Sequence, residues 1–228
     1  MKRFWKDVAV AGGQVLLDGR AVRTPARAPL VLPTAALAEA VAGEWRAVGD
    51  TIDPLAMPLT GFANAAIDKV APDAPAFAAG LATYGQTDLL CYRAENPPEL
   101  AARQAVIWDP LLEWARIRYE IAFMVTTGIV HRAQPPETLA RLSAAIAARN
   151  PFELAALSPV VSIGGSRVVA LMLADDAIAA DAAFDATHLD EQWQAELWGE
   201  EWMAADARAL RRADFVNSGR MLALLRAA

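Results

Sequence analysis

Two adjacent pairs of carboxylates are the residues of this chain best suited by type and spacing to do chemistry. Asp190 and Glu191 form one pair, and Glu200 and Glu201 form the other. Two carboxyl groups can act as general acid and general base when a concave, dehydrated site separates their pKa values. Nothing next to either pair in the sequence supplies such a site. We therefore keep a carboxylate-dependent enzyme as the weaker hypothesis and predict no catalytic residue.

The other residues that could carry chemistry are isolated. His131 and His188 lie far apart, with no cysteine or second histidine at metal-ligand spacing, so we predict no metal site. The single cysteine, Cys91, has apolar neighbours and is predicted to be a small buried side chain, not a nucleophile. No GxxxxGK[ST] segment is present to hold a triphosphate. We predict neither a cofactor nor a small-molecule substrate.

Composition narrows the class of protein further. The 228 residues include 21 Lys and Arg against 27 Asp and Glu, a net charge of −6 that argues against nucleic acid as a partner. No apolar run approaches the roughly 20 residues that cross a bilayer, so no membrane insertion is predicted. One cysteine excludes an internal disulfide and fits a reducing compartment such as the cytoplasm.

Charge is unevenly spread along the chain. Residues 1–32 carry six basic and two acidic groups, whereas residues 168–207 carry ten acidic groups and no Lys or Arg. A face that only meets water could carry charges of both signs, which would repel one another less. A block of one sign therefore predicts a surface that binds a basic partner. Trp198 and Trp202, four residues apart on a predicted helix, add aromatic area of the kind enriched at interfaces. The alternative, in which the tryptophans face the core and the acids face water, stays open.

The first 32 residues predict a small β meander. Asp18-Gly19 between two short apolar runs is typical of a type I′ hairpin turn, which needs positive φ at both positions. Residues 30–32, between two prolines, predict a further strand at the edge of the sheet. Thr34 then predicts a helix cap.

The remainder of the chain has helical periodicity. Asp109-Pro110 predicts a break or kink in one helix, because proline removes a hydrogen bond. The fold class is therefore α+β: a small β-rich N-terminal domain with one helix (1–58) and a larger all-α domain (59–228). Beyond the middle of the chain, the helical patterns cover about 136–148, 165–174, 176–187, 188–204 and 207–226.

A series of short motifs runs in order along nearly the whole chain. The motifs are Gly19-Arg20, Val22-Arg23-Thr24-Pro25, Pro29-Leu30, Leu32-Pro33-Thr34, Glu44-Trp45, Met57-Pro58-Leu59-Thr60, Asn64, Ala66-Ile67-Asp68, Thr87-Asp88-Leu89-Leu90-Cys91-Tyr92-Arg93-Ala94, Gln104, Trp108-Asp109-Pro110-Leu111-Leu112, Trp114, Gly165-Ser166, Leu189-Asp190-Glu191, Gln194 and Trp198-Gly199-Glu200. The series resembles the assembly chaperones of ATP synthase that attend the alpha subunit of F(1)-ATPase, the F(1)-ATPase assembly factor 2-like family.

The resemblance implies a small α/β layer with an orthogonal helical bundle, and a bacterial, cytoplasmic member whose eukaryotic relatives work in the mitochondrial matrix. It implies an ATP-independent chaperone that binds the unassembled alpha subunit and prevents its aggregation. Trp202 departs from the family pattern, in which a more polar residue is expected. The alternative is a cytoplasmic protein-binding adaptor that meets an acidic partner through residues 1–32. The resemblance and the acidic block together predict as partner-binding residues Glu191, Glu196, Trp198, Glu200 and Glu201.

Overall fold

The computed structural model describes residues 2–199 and 201–227. It confirms the α+β class, because a small sheet forms near the N-terminus and helices make up most of the remainder. The chain divides into two compact units. Unit 1 comprises the chain up to Ala74, Asn150–Ala156 and the residues from Arg220 onward, and unit 2 comprises Pro75–Arg149 and Leu157–Gly219. This division differs from the predicted boundary at residue 58, since the helices after it pack with the first domain and two later segments return to it.

Unit 1 contains a three-stranded antiparallel sheet. Its strands are β1 (Val8–Ala11), β2 (Gln14–Leu17) and β3 (Arg20–Ala21), in the order β1-β2-β3. Asp18 and Gly19 have φ values of 47° and 78°, so the hairpin turn has the predicted positive values at both positions.

The predicted strand at residues 30–32 forms only one isolated bridge, between Val31 and Gln14. Leu32 N–H also donates to Gly13 O at 2.8 Å. The flanking prolines have no N–H to continue the ladder, so a full strand does not develop.

Two helices complete the early part of unit 1. In α1 (Ala35–Ala47), Thr34 Oγ1 accepts a hydrogen bond from Leu37 N–H at 3.1 Å, which confirms the predicted cap. α2 (Pro58–Ala65) follows, and short turns of 3₁₀ or π geometry lie at Pro54–Ala56, Ala66–Val70 and Ala71–Asp73. Unit 2 has two more such turns, Thr83–Thr87 and Leu89–Cys91.

Helices dominate unit 2, with one short parallel pairing between β4 (Tyr92–Arg93) and β5 (Thr126–Thr127). α6 and α10 each place part of their length in unit 1. Among the described residues, no helix has the length and apolar character of a membrane span. The helices are α3 (Ala74–Ala82), α4 (Pro98–Tyr119), α5 (Pro136–Ala147), α6 (Pro151–Gly164), α7 (Arg167–Ala174), α8 (Ala180–Thr187), α9 (Leu189–Trp198) and α10 (Trp202–Arg226).

Three helical predictions need correction. Of the break or kink predicted at Asp109-Pro110, the break is wrong: α4 continues through Pro110, since the buried residues Trp108, Leu111 and Leu112 on either side hold the helix in place, and the kink stays a prediction. α6 forms where no helix was predicted. The predicted helix over 188–204 is two helices, because Gly199 at φ 82° ends α9.

Candidate functional site

The predicted partner-binding residues lie around the turn between α9 and α10. Glu191, Glu196 and Trp198 are on α9, and Glu201 directly precedes α10. Glu200 lies outside the described residues. Gly199 N–H donates to Ala195 O at 3.0 Å, which closes α9 and redirects the chain.

This turn exposes four large apolar side chains, which we call the corner patch: Leu197, Trp198, Trp202 and Met203. Trp198 is 79% exposed and Trp202 is 74% exposed. Because α9 ends before Trp202, the two tryptophans lie on different helices and do not share one helical face as predicted. Two exposed tryptophans four residues apart at one turn indicate a binding surface, since such rings bury much area at little entropic cost.

Glu191 lies at an arginine cluster beside the patch. Its carboxylate accepts hydrogen bonds from Arg211 Nη2 at 2.7 Å and from Arg208 Nε at 3.3 Å. Burial pushes the pKa of Glu191 upward, but the hydrogen bonds and charges of the two arginines outweigh burial, so this pKa lies below its ordinary value. Glu191 therefore joins α9 to α10.

Glu196 is paired with a residue from α4. Arg103 donates to its two carboxylate oxygens at 2.6 and 2.9 Å, the bidentate geometry that arginine favours. The Arg103 guanidinium also lies over the Trp193 ring, 5.7 Å from its centroid. The hydrogen bond from Arg103 lowers the pKa of Glu196. This pairing fixes α9 against α4 next to the patch.

The acidic block as a whole is far more neutralised than its sequence indicates. Five of its carboxylates have arginine partners from outside the block. Within the described part of the chain, Glu201 and Asp206 form no ion pair. Glu201 and Asp206 are both exposed, so they are the described carboxylates of the block left free for a partner, and both follow Gly199 in the chain. The five paired carboxylates are Asp175, Asp181, Asp185, Glu191 and Glu196.

Asp190 and Glu191 do not share a site. Asp190 Oδ1 accepts from Gln104 Nε2 at 2.7 Å, whereas Glu191 binds arginines of α10. The two carboxylates point to different partners, so this pair lacks the shared, dehydrated setting that general acid–base catalysis needs. No group of His, Cys, Asp and Glu among the described residues has the arrangement of a metal site.

Comparison with known proteins decides the family. The family model described as ATP12 chaperone protein matches residues 2–116, half of the chain. The chain belongs to the ATP12 chaperone family. The crystal structure of Atp12 from Paracoccus denitrificans is 44% identical, with a TM-score of 0.94, and covers 99% of this chain and 98% of its own.

Two further relatives agree with this assignment. The Atu1473 protein of Agrobacterium tumefaciens is 41% identical with a TM-score of 0.94, over 99% of this chain and 86% of that one. Protein atp12, mitochondrial, of Schizosaccharomyces pombe is 28% identical over 95% of this chain and 79% of its own.

Motif residues of this chain form one polar network within unit 2. Gln104 is fully buried and accepts from Ala94 N–H at 2.7 Å while it donates to Asp190. Arg93 donates to Asp109 at 2.6 Å and lies over the buried Trp108 ring, 5.2 Å from its centroid. The network connects α4, β4 and the start of α9. Its residues position the helix that carries the corner patch.

Cys91 is buried, as predicted, and burial raises the pKa of its thiol to about 12. Because the thiolate is the reactive form, we expect the folded chain to react with a disulfide reagent at pH 8 more than about 100-fold slower than the urea-unfolded chain. Absorbance of the released thiol measures both rates. Equal rates in the folded and unfolded chains would contradict this assignment.

Proposed function

We propose that this ATP12-family chaperone works in assembly of the F(1) sector of ATP synthase in the bacterial cytoplasm. It binds the unassembled alpha subunit and prevents its aggregation, without ATP. The observation that carries the proposal is the corner patch, an exposed tryptophan pair with free carboxylates nearby in a chain of a chaperone family.

A subunit that has not yet joined its ring needs such a chaperone because of the surface that it exposes. Subunits of a permanent ring meet through large apolar interfaces, which are exposed while a subunit is alone and then promote aggregation. A chaperone that covers this surface reversibly needs a lower affinity for the alpha subunit than the beta subunit has. Mass action then transfers the client when the beta subunit arrives. This cycle requires no nucleotide.

A binding experiment with two forms of the client tests the proposal. The chaperone is immobilised and exposed to isolated alpha subunit or to assembled F(1) headpiece. We expect retention of the isolated subunit and weak retention of the headpiece, because the client surface is covered there. Equal retention of both forms would contradict the proposal.

Reversal of the free charge near the patch should slow association. Glu201 is exposed and unpaired among the described residues, so Glu201→Lys is expected to lower the association rate for alpha subunit about two- to tenfold at low salt. It should also flatten the dependence of that rate on ionic strength. Stopped-flow fluorescence measures both.

Asp50→Lys is the matched control, since it makes the same charge change at an exposed position of unit 1. An association rate reduced equally by both variants would show a net-charge effect and contradict a local role for Glu201.

A further inference from the structure

Unit 1 contains an open groove that the proposed function does not use. It has a volume of about 320 Å³ and mostly apolar walls. The residues that line it come from the loop after β3, from α1, from α2 and from the loop before α2. We call it the unit 1 groove; its walls include Arg23, Pro25, Trp45, Ile52, Met57 and Asn64.

Two residues that line the groove each carry a buried side-chain polar atom without a partner. Trp45 Nε1 is a donor and Asn64 Oδ1 is an acceptor, and neither forms a hydrogen bond within the described residues. An unpaired buried polar group costs about 1–3 kcal/mol, so a ligand that supplies its partner gains affinity. A peptide backbone offers one acceptor and one donor per residue and would complement the pair after a small shift of the two side chains.

The rim of the groove carries a free positive charge. Arg23 is exposed, and its Nη1 donates only to the backbone carbonyl of Arg27 at 2.9 Å. It forms no ion pair with any described residue. A carboxylate on a bound ligand would supply the missing counter-charge, with the bidentate geometry that arginine favours.

Two carboxylates, the buried Glu44 and the half-buried Asp68, hold the walls in place. Glu44 accepts from the backbone N–H groups of Leu59 and Thr60, each at 2.8 Å, and so fixes the first turn of α2 to α1. Asp68 accepts from Thr24 Oγ1 at 2.6 Å and Ala26 N–H at 2.9 Å, which fixes the loop that carries Arg23. Walls positioned in this way do not have to be ordered by the ligand, which lowers the entropic cost of binding.

We propose that the unit 1 groove binds an extended peptide segment in which an apolar side chain stands next to an acidic one. The apolar side chain enters the groove, the backbone pairs with Trp45 and Asn64, and the carboxylate binds Arg23. This site is separate from the corner patch and does not depend on which client that patch binds.

The probes are two hexapeptides, Gly-Ser-Leu-Asp-Ser-Gly and Gly-Ser-Leu-Lys-Ser-Gly, titrated into the full-length chain. Binding is followed by the ¹H–¹⁵N NMR signals of the Trp45 indole and the Asn64 amide. We expect both signals to move with the Leu-Asp peptide, and at least about tenfold weaker binding of the Leu-Lys peptide. Arg23→Glu is expected to reverse this preference.

Two glycine variants give a matched pair that separates binding from folding. Gly61 lines the groove on α2 and Gly43 lies elsewhere, on α1; an added Cβ meets nothing within 4 Å at either position. Gly61→Leu should fill the groove and abolish peptide binding, whereas Gly43→Leu should leave peptide binding unchanged.

Equal binding of both peptides, or binding unaffected by Gly61→Leu, would overturn the proposal. Concentration-dependent shifts without peptide would assign the groove to a second copy of the chain and also overturn it.

Discussion

Replacement of Trp198 and Trp202 by alanine is expected to weaken binding of the isolated alpha subunit about 100-fold or more. Aromatic residues at the centre of an interface contribute about 2 kcal/mol or more each, and each such contribution corresponds to roughly a 30-fold change in affinity. Both side chains are mostly exposed in the free chain, so their removal should change the free energy of unfolding by less than about 0.5 kcal/mol. Surface plasmon resonance measures the affinity. Light scattering of isolated alpha subunit, mixed with the parent chaperone or with the variant, measures the loss of protection against aggregation.

The control variants remove equally exposed apolar side chains elsewhere. Leu55→Ala in unit 1, where the side chain is 92% exposed, and Val106→Ala on α4, where it is 76% exposed, should keep client binding within about twofold of the parent, as expected of residues outside the interface. If the tryptophan variant binds alpha subunit as tightly as the two controls do, the corner patch is not the client site.

Asp88→Ala is expected to destabilise unit 2 by about 3–5 kcal/mol, the range for removing one partner of a buried charged network. Asp88 is 1% exposed and accepts from the backbone N–H groups of Leu90 at 3.2 Å, Arg167 at 2.9 Å and Val168 at 3.2 Å. Burial raises the pKa of Asp88, and hydrogen bonds from Ser166 and these backbone groups oppose that rise. Alanine would leave two backbone N–H groups of the first turn of α7 without this acceptor and the fully buried Arg167 without the favourable charge of Asp88.

Urea unfolding followed by tryptophan fluorescence measures this loss. Glu113→Ala is the matched control, because Glu113 also carries a negative charge in unit 2 but pairs with Arg116 where both side chains are about half exposed, 49% and 57%. Exposed ion pairs contribute about 0–1 kcal/mol, so this variant should unfold within about 1 kcal/mol of the parent. Comparable destabilisation by the two variants would show that burial is not what makes Asp88 important.

Features that depend on a few neighbouring residues were predicted correctly. Asp18-Gly19 forms the positive-φ turn, and Thr34 caps α1, because each relies on one or two local bonds and on intrinsic backbone preference. The buried position of Cys91 also follows from its apolar neighbours. The order of short motifs along the chain was sufficient to identify the family.

Features that depend on packing were missed. Pro110 lacks an N–H and should interrupt a helix, yet α4 passes through it because the buried residues on both sides hold the helix. Gly199, which the periodicity placed inside one long helix, ends α9 and separates Trp198 from Trp202. A helical pattern in the sequence does not reveal which residues tertiary contacts will stabilise.

The sequence by itself determined the fold class, the local turns and caps, and the excess of acidic residues in one block. Only the tertiary structure decided which of those acids are free, since arginines distant in sequence, such as Arg103 and Arg211, neutralise Glu196 and Glu191. The physical reason is range: a turn or cap is set by bonds within a few residues, whereas an ion pair forms only after helices distant in the chain have packed and brought opposite charges within hydrogen-bond distance.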